Sequence, residues 1–257
     1  MAGVPGSARK AHLRRLLASR VPEPASPEPS WHAGTPPWVS ELLPPAALAR
    51  WASSFSDLRS CWNACPDPEW LLWLAARTCG QEGQRRQVVL CAAELAGLAQ
   101  RRGRDIDPRV TRAILLPQMW AGLEADVPDL LAAERDALQA ARETAQAAVR
   151  EAERARALFQ LTPRRCLGSF GMSRALGAWQ WRLEQERASW LALAAASVAR
   201  AAALADDPAV TAIEWAGCVS QSAAFGLRAM PGTRGGRPAR AVTRHCLRHA
   251  RRRLTGP

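Results

Sequence analysis

Tyrosine is absent from this chain of 257 residues, and lysine occurs once against 34 arginines. The skew reads as composition bias, so no arginine is taken as selected for guanidinium chemistry on its presence alone. Histidine is scarce, and His12, His32, His245 and His249 all fall in the two ends. That leaves no histidine in the middle of the chain to activate a cysteine or serine nucleophile. No run approaches the 18 or so apolar residues that a membrane span requires. No stretch alternates apolar and polar residues as a half-buried strand does. The basic patch Arg9, Lys10, Arg14 and Arg15 leads into Pro22, Pro24, Pro27 and Pro29 where a signal peptide would carry its apolar region. The expectation is a soluble cytoplasmic protein.

Seven cysteines are scattered through apolar segments. In a chain this long that pattern suits reduced, mostly buried thiols better than a disulfide framework. The net charge of +12 is unevenly placed. Residues 1–45 carry a net of +2 and residues 46–227 a net of +1, whereas residues 228–257 hold nine arginines and no acid. The body is almost neutral, and the basicity is a tail.

The chain is organised around residues 61–79, CWNACPDPEWLLWLAARTC. Ahead of and into this stretch, Trp51, Phe55, Leu58 and Trp62 recur at helical spacing, which predicts one helix ending near Pro66. Asp67 then serves as an N-cap, Pro68 suits the first helical position, and Glu69 complements the helix dipole. Trp70, Leu71, Leu72, Trp73, Leu74 and Ala75 follow without a polar face, as a buried helix does. If Trp70 and Trp73 are both buried, replacing either with alanine costs about 3 to 5 kcal/mol.

Other helices follow from the same signals. Val88, Ala92, Leu95 and Ala99 repeat at helical spacing, and Asp107 with Pro108 starts a helix carrying Val110, Ile114 and Trp120, kinked or broken at Pro117. From Pro128 a long helix places Leu131, Leu138, Ala141, Ala145, Ala148, Ala152, Ala155 and Phe159 on a seam of small residues that favours close packing. Such a seam could close within one chain or between two, so self-association is left open. After a break around Pro163 and Gly168, a helix from about Ser173 to Leu204 puts Leu176, Trp179, Leu183, Trp190, Ala194, Val198 and Ala201 near one side. Asp207 and Pro208 open a last body helix through Val210, Ile213, Ala216, Ala223 and Leu227.

The predicted fold is all-α. It is a single multi-helix domain of about seven helices over residues 46–227, with a flexible proline- and serine-rich segment over 1–45 and an arginine-rich tail over 228–257. Trp31 and Trp38 are the only large anchors in the front segment. A short helix around residues 241–253 is expected in a loosely attached tail.

Each candidate for chemistry has a plainer explanation. His245, Cys246 and His249 are the only ligand-like cluster, but zinc needs about four ligands and no matching second pair stands out. Cys61 and Cys65 lie beside the tryptophans as small buried hydrophobes. Ser169, in Gly168-Ser169-Phe170-Gly171, is one residue short of an esterase elbow. Gly232, Gly235 and Gly236 follow no strand and carry no phosphate-binding lysine. Of the acid pairs Asp105 and Asp107, Asp126 and Asp129, and Asp206 and Asp207, two sit beside helix-start prolines, where capping explains them. They could also form an acidic rim facing a basic partner. No catalytic residue, cofactor or metal is expected. The arginine tail would bind phosphates non-specifically, although it has no aromatic residue to stack on a base.

The residues over 62–74, WNACPDPEWLLWL, resemble the signature of a family of helical immunity proteins of bacterial polymorphic-toxin systems. The pattern is carried by Trp62, Cys65, Pro66, Asp67, Trp70, Leu71, Leu72, Trp73, Leu74 and Ala75. A looser likeness runs through Cys91 and Glu94 to Met119, Trp120, Ala121 and Gly122, covering about residues 47–227. The proline-rich front, the Pro66-Asp67-Pro68-Glu69 link and the arginine tail depart from that pattern. The resemblance implies a helical scaffold that neutralises a cognate protein toxin by stoichiometric binding, with the matched residues forming a shared core and not a binding face. A nucleic-acid-associated helical protein using the basic tail is the alternative.

Overall fold

The computed structural model describes residues 35–101, 107–161, 169–230 and 237–254, which form ten helices and no strand. The fold is all-α. Among the described residues, those up to Ser54 make one compact unit and those from Phe55 a second.

In the first unit, α1 (Pro37–Leu42) and α2 (Ala46–Ala52) each follow a proline held in the extended region. Val39, Leu48, Ala49 and Ala52 are buried. The Ser53 hydroxyl donates to the Ala49 carbonyl at 2.8 Å and that of Ser54 to the Trp51 carbonyl at 2.7 Å. These local bonds compete with helix continuation. The single helix expected from Trp51 to Trp62 is therefore two, because the chain bends over residues 53–57 before α3 (Leu58–Ala64) begins. Asp57 caps the new start, accepting from the Ser60 amide at 2.8 Å.

In the second unit, α4 (Pro68–Thr78) starts as its sequence signal dictates, with the Asp67 carboxylate accepting from the Glu69 amide at 2.9 Å. Next come α5 (Glu82–Gln100), α6 (Pro108–Ala121), α7 (Val127–Leu161), α8 (Ser169–Leu204), α9 (Ala212–Ala229) and α10 (Arg237–Arg253). Pro117 neither breaks nor ends α6, and is buried within it. A capping box between Thr211 and Glu214 starts α9, four residues later than Pro208 suggests. Asp207 instead holds a turn, accepting from the Ala209 amide at 2.9 Å.

The long helices α7 and α8 run antiparallel. The Ser189 hydroxyl donates to the Ala141 carbonyl at 3.1 Å, and Arg200 reaches Glu134 at 3.3 Å. The buried row on α7 is Leu130, Ala133, Ala137, Ala140, Ala141, Ala148 and Ala155: Ala141, Ala148 and Ala155 fall on the expected seam, whereas ahead of Ala141 the row lies one position before Leu131 and Leu138, and Leu131 is exposed. Alanines occupy both rows, and the bulk that would separate them is missing. On α8, Ala194, Val198 and Ala201 are buried as expected, whereas Leu176 and Trp179 are exposed on the outer half.

The inner half of α8 packs on α5, α6 and α9, and α9 packs on α4. At one junction the Trp215 indole donates to the Ala201 carbonyl at 2.9 Å and the Arg85 guanidinium donates to the Ala205 carbonyl at 2.5 Å. Both satisfy carbonyls at the C-terminal end of α8, where a positive charge is also favoured by the dipole. Trp190 stacks on Phe225 with ring centroids 5.6 Å apart.

The arginine-rich tail is not loosely attached over residues 237–254. α10 lies on α4 and α5 with Cys246, Leu247, Ala250 and Leu254 buried. Its helical spacing gathers these four on one side and leaves Arg244, His245, Arg248 and Arg252 exposed on the other.

Candidate functional site

Most of the residues singled out over 62–75, together with Trp120, lie in the interior. Trp62, Cys65, Leu71, Leu72, Trp73, Leu74 and Trp120 are buried, Trp70 and Asp67 are half-buried, and Pro66 is exposed. The Cys65 thiol donates to the Asp67 carbonyl at 3.3 Å. Burial pushes the Cys61 thiol up to about 12 and the Cys65 thiol up to about 11. Both are held as thiols, the opposite of what a nucleophile needs. Desolvation also raises Asp67 and Glu69, while Asp67's cap bond to the Glu69 amide opposes its own rise.

α10 completes this region. Arg251 donates to the carbonyls of Asn63 and Cys65, both at 2.8 Å. These are orphan acceptors at the C-terminal end of α3, so the arginine acts as a cap supplied from far along the chain. Two residues before it, His249 sets its ring Nε2 2.7 Å from the Glu94 carboxylate on α5. With His249 so engaged, His245 exposed and Cys246 buried, the ligand-like cluster of the tail does not converge. No group of three metal-ligating side chains occurs among the described residues.

Of the acid pairs, Asp107, Asp126 and Asp129 act as caps or ion-pair partners. Asp107 caps α6 and binds Arg109 bidentately, and Arg109 also reaches Glu143 on α7 at 2.5 Å. The Arg109 side-chain bonds hold Asp107 below the usual carboxylate range. Asp126 accepts from the Asp129 amide at 3.0 Å, and Asp129 meets Arg112 at 3.2 Å. Asp105, His12, His32, Trp31 and the glycines at 232, 235 and 236 lie outside the described residues. Ser169 begins α8 with no preceding strand among them.

One surface was not anticipated from the sequence. Ten large apolar side chains are exposed among the described residues, and five of them, Leu115, Met119, Leu123, Val127 and Leu131, follow one another along the end of α6, the turn and the start of α7, 40 to 72 % exposed. Leu115 and Met119 are neighbours on α6, as Val127 and Leu131 are on α7. Leu123, the most exposed, stands between them with a φ of 67°. The turn is a Schellman arrangement: the Glu124 amide donates to the Met119 carbonyl and the Leu123 amide to the Trp120 carbonyl, both at 2.9 Å. Glycine is the residue that suits this left-handed position, and Gly122 sits one place too early to fill it. Leu123 therefore carries a steric cost of about 1–2 kcal/mol. Glu124 and Asp126 are exposed at the edge of the corner.

Two exposed aromatic residues lie on different sides of the outer half of α8. Trp179 and Trp181 are nearly half exposed, and the Arg182 guanidinium covers the Trp179 ring at 4.7 Å.

No family model, curated protein or solved structure matches this chain. No helix among the described residues is long and apolar enough to cross a membrane.

Proposed function

We propose that this chain is a cytoplasmic immunity protein that neutralises a cognate bacterial toxin by stoichiometric binding, without catalysis of its own. The resemblance over residues 62–75 motivates the class. Leu123 is the observation that supports a binding role most directly. A leucine 72 % exposed gains little from folding, yet it is held in the left-handed backbone region where glycine is cheaper. A strained, exposed apolar residue in a run of exposed apolar residues is what a partner contact would account for. The partner's matching face would be apolar and edged with basic groups, opposite Glu124 and Asp126.

Co-expression with the product of the adjacent gene, scored for survival and one-to-one co-purification, tests the reading. Survival with a stable complex is expected, whereas a neighbour that is harmless alone removes the immunity reading. Leu123→Asp combined with Met119→Asp should abolish co-purification while the melting temperature stays near that of the parent. Leu123→Gly should raise folding stability by about 1 kcal/mol by relieving the backbone and still weaken the complex about tenfold or more, as loss of an interface anchor does. A complex unaffected by either change would place the contact elsewhere.

A further inference from the structure

The exposed face of α10 is a second surface, of opposite chemistry. Arg244, Leu247, Arg248 and Arg251 line a groove of about 420 Å³. The arginines stand at positions i, i+4 and i+7, which aligns them along one face of the helix. No acid occurs anywhere in residues 228–257, and Glu94 on the body meets His249 on the side of α10 that faces α5. Arg251 already anchors the groove's end through Asn63 and Cys65. The row is therefore held by the body and does not pay the ordering cost of a loose tail.

We propose that this face binds the phosphate backbone of nucleic acid without reading sequence. At 1.5 Å per residue, Arg244 to Arg251 spans about 10 Å along the helix. One strand of a duplex carries a phosphate every 3.4 Å or so of axis, so about three phosphates fall within reach of the row. Guanidinium groups match phosphate oxygens in fork geometry. Sequence readout from single strands usually adds stacked aromatics, and the region has none. An anionic membrane is the poorer fit. A surface-lying helix must insert its apolar face between headgroups, and the apolar residues Cys246, Leu247, Ala250 and Leu254 are spent against the body, each at most 7 % exposed. The same packing makes deletion of the tail an unsuitable test, because it would strip the core as well as the charge.

The test is fluorescence anisotropy of a labelled 20-base-pair duplex of arbitrary sequence with the full chain, between about 0.05 and 0.3 M salt. Binding should weaken with a log–log slope of about −2.7 or steeper, from about 0.9 per phosphate neutralised. Arg244→Gln with Arg248→Gln should make the slope shallower by about 1.8 and reduce affinity roughly 10- to 60-fold at 0.1 M salt. Arg244→Lys with Arg248→Lys should keep most of the slope, since charge is retained. If the glutamine pair lowers the melting temperature, Arg248→Gln alone carries the test, with an expected slope change of about 0.9. No duplex binding by the parent, or a slope untouched by the glutamine substitutions, overturns the proposal. So does capture by phosphatidylserine vesicles or polyglutamate without capture by the duplex.

Discussion

Trp73 and Trp70 are three positions apart in an apolar run, and the structure treats them differently. Trp73 is 3 % exposed with the Arg77 guanidinium 5.9 Å from its ring centre, whereas Trp70 is only half-buried. Trp73→Ala should therefore cost about 3 to 5 kcal/mol, and Trp70→Ala clearly less. Urea denaturation of both variants separates the two, and equal losses would show that Trp70 is as deeply committed to the core. The sequence marks this run as buried but cannot rank its members, because an all-apolar helix has no polar face to set its rotation. Leu123 shows the opposite difficulty. Nothing in its neighbours signals a positive φ, and Gly122 beside it invites the turn to be assigned one residue early.

Helix starts were the most legible elements. Asp67 with Pro68 and Asp107 with Pro108 act as the cap and first helical residue that their types suggest. Asp207 with Pro208 has the same spelling, yet the helix waits for Thr211 and Glu214, whose reciprocal side-chain bonds satisfy more of the first-turn donors than one aspartate does. Thr211→Ala should lose about 1 kcal/mol, and Asp207→Ala should cost less than that in the same thermal melt. The packing register of α7 was legible from Ala141 onward, where Ala148 and Ala155 are buried as expected, but not before it, where alanine on two adjacent rows offers both to a neighbour. Nor was the docking of α10. Its charge dominates the composition, while its four buried side chains are recognisable only by their common side. Arg251→Met should remove the cap on α3 and cost about 1 kcal/mol while leaving the helix content of the circular dichroism spectrum unchanged.

For the whole molecule, the absence of tyrosine and the single lysine make alkaline behaviour unusually simple. Between pH 9 and 12 cysteine is the principal side chain left to titrate. An unfolded thiol ionises near 9, whereas burial holds the Cys61 thiol up to about 12 and Cys65 up to about 11. Above pH 9 the unfolded chain releases protons that the folded chain keeps, so unfolding gains and stability falls as pH rises towards 11. The denaturant midpoint should decline steadily across that window. Cys61→Ala with Cys65→Ala should flatten the decline, whatever the variant's stability at neutral pH, and an unchanged slope would assign the titration to other groups. The all-α class was readable because helical periodicity and caps recur along the chain. The exposed α6–α7 corner was not, because Leu131 and Met119 look the same in a sequence whether a neighbour covers them or not.

The bond from Arg251 to Asn63 joins positions 188 apart. At a synthesis rate of about 5 to 20 residues per second, α3 leaves the ribosome roughly 10 to 40 s before the residue that caps it. The tryptophan-rich start of the second unit must wait in a partly uncovered state, and the last folding step is a long loop closure and not a local one. A translation pause ahead of α10 would prolong the exposure of that apolar segment, and with it the interval in which chaperones or stray chains compete for the place that α10 finally takes.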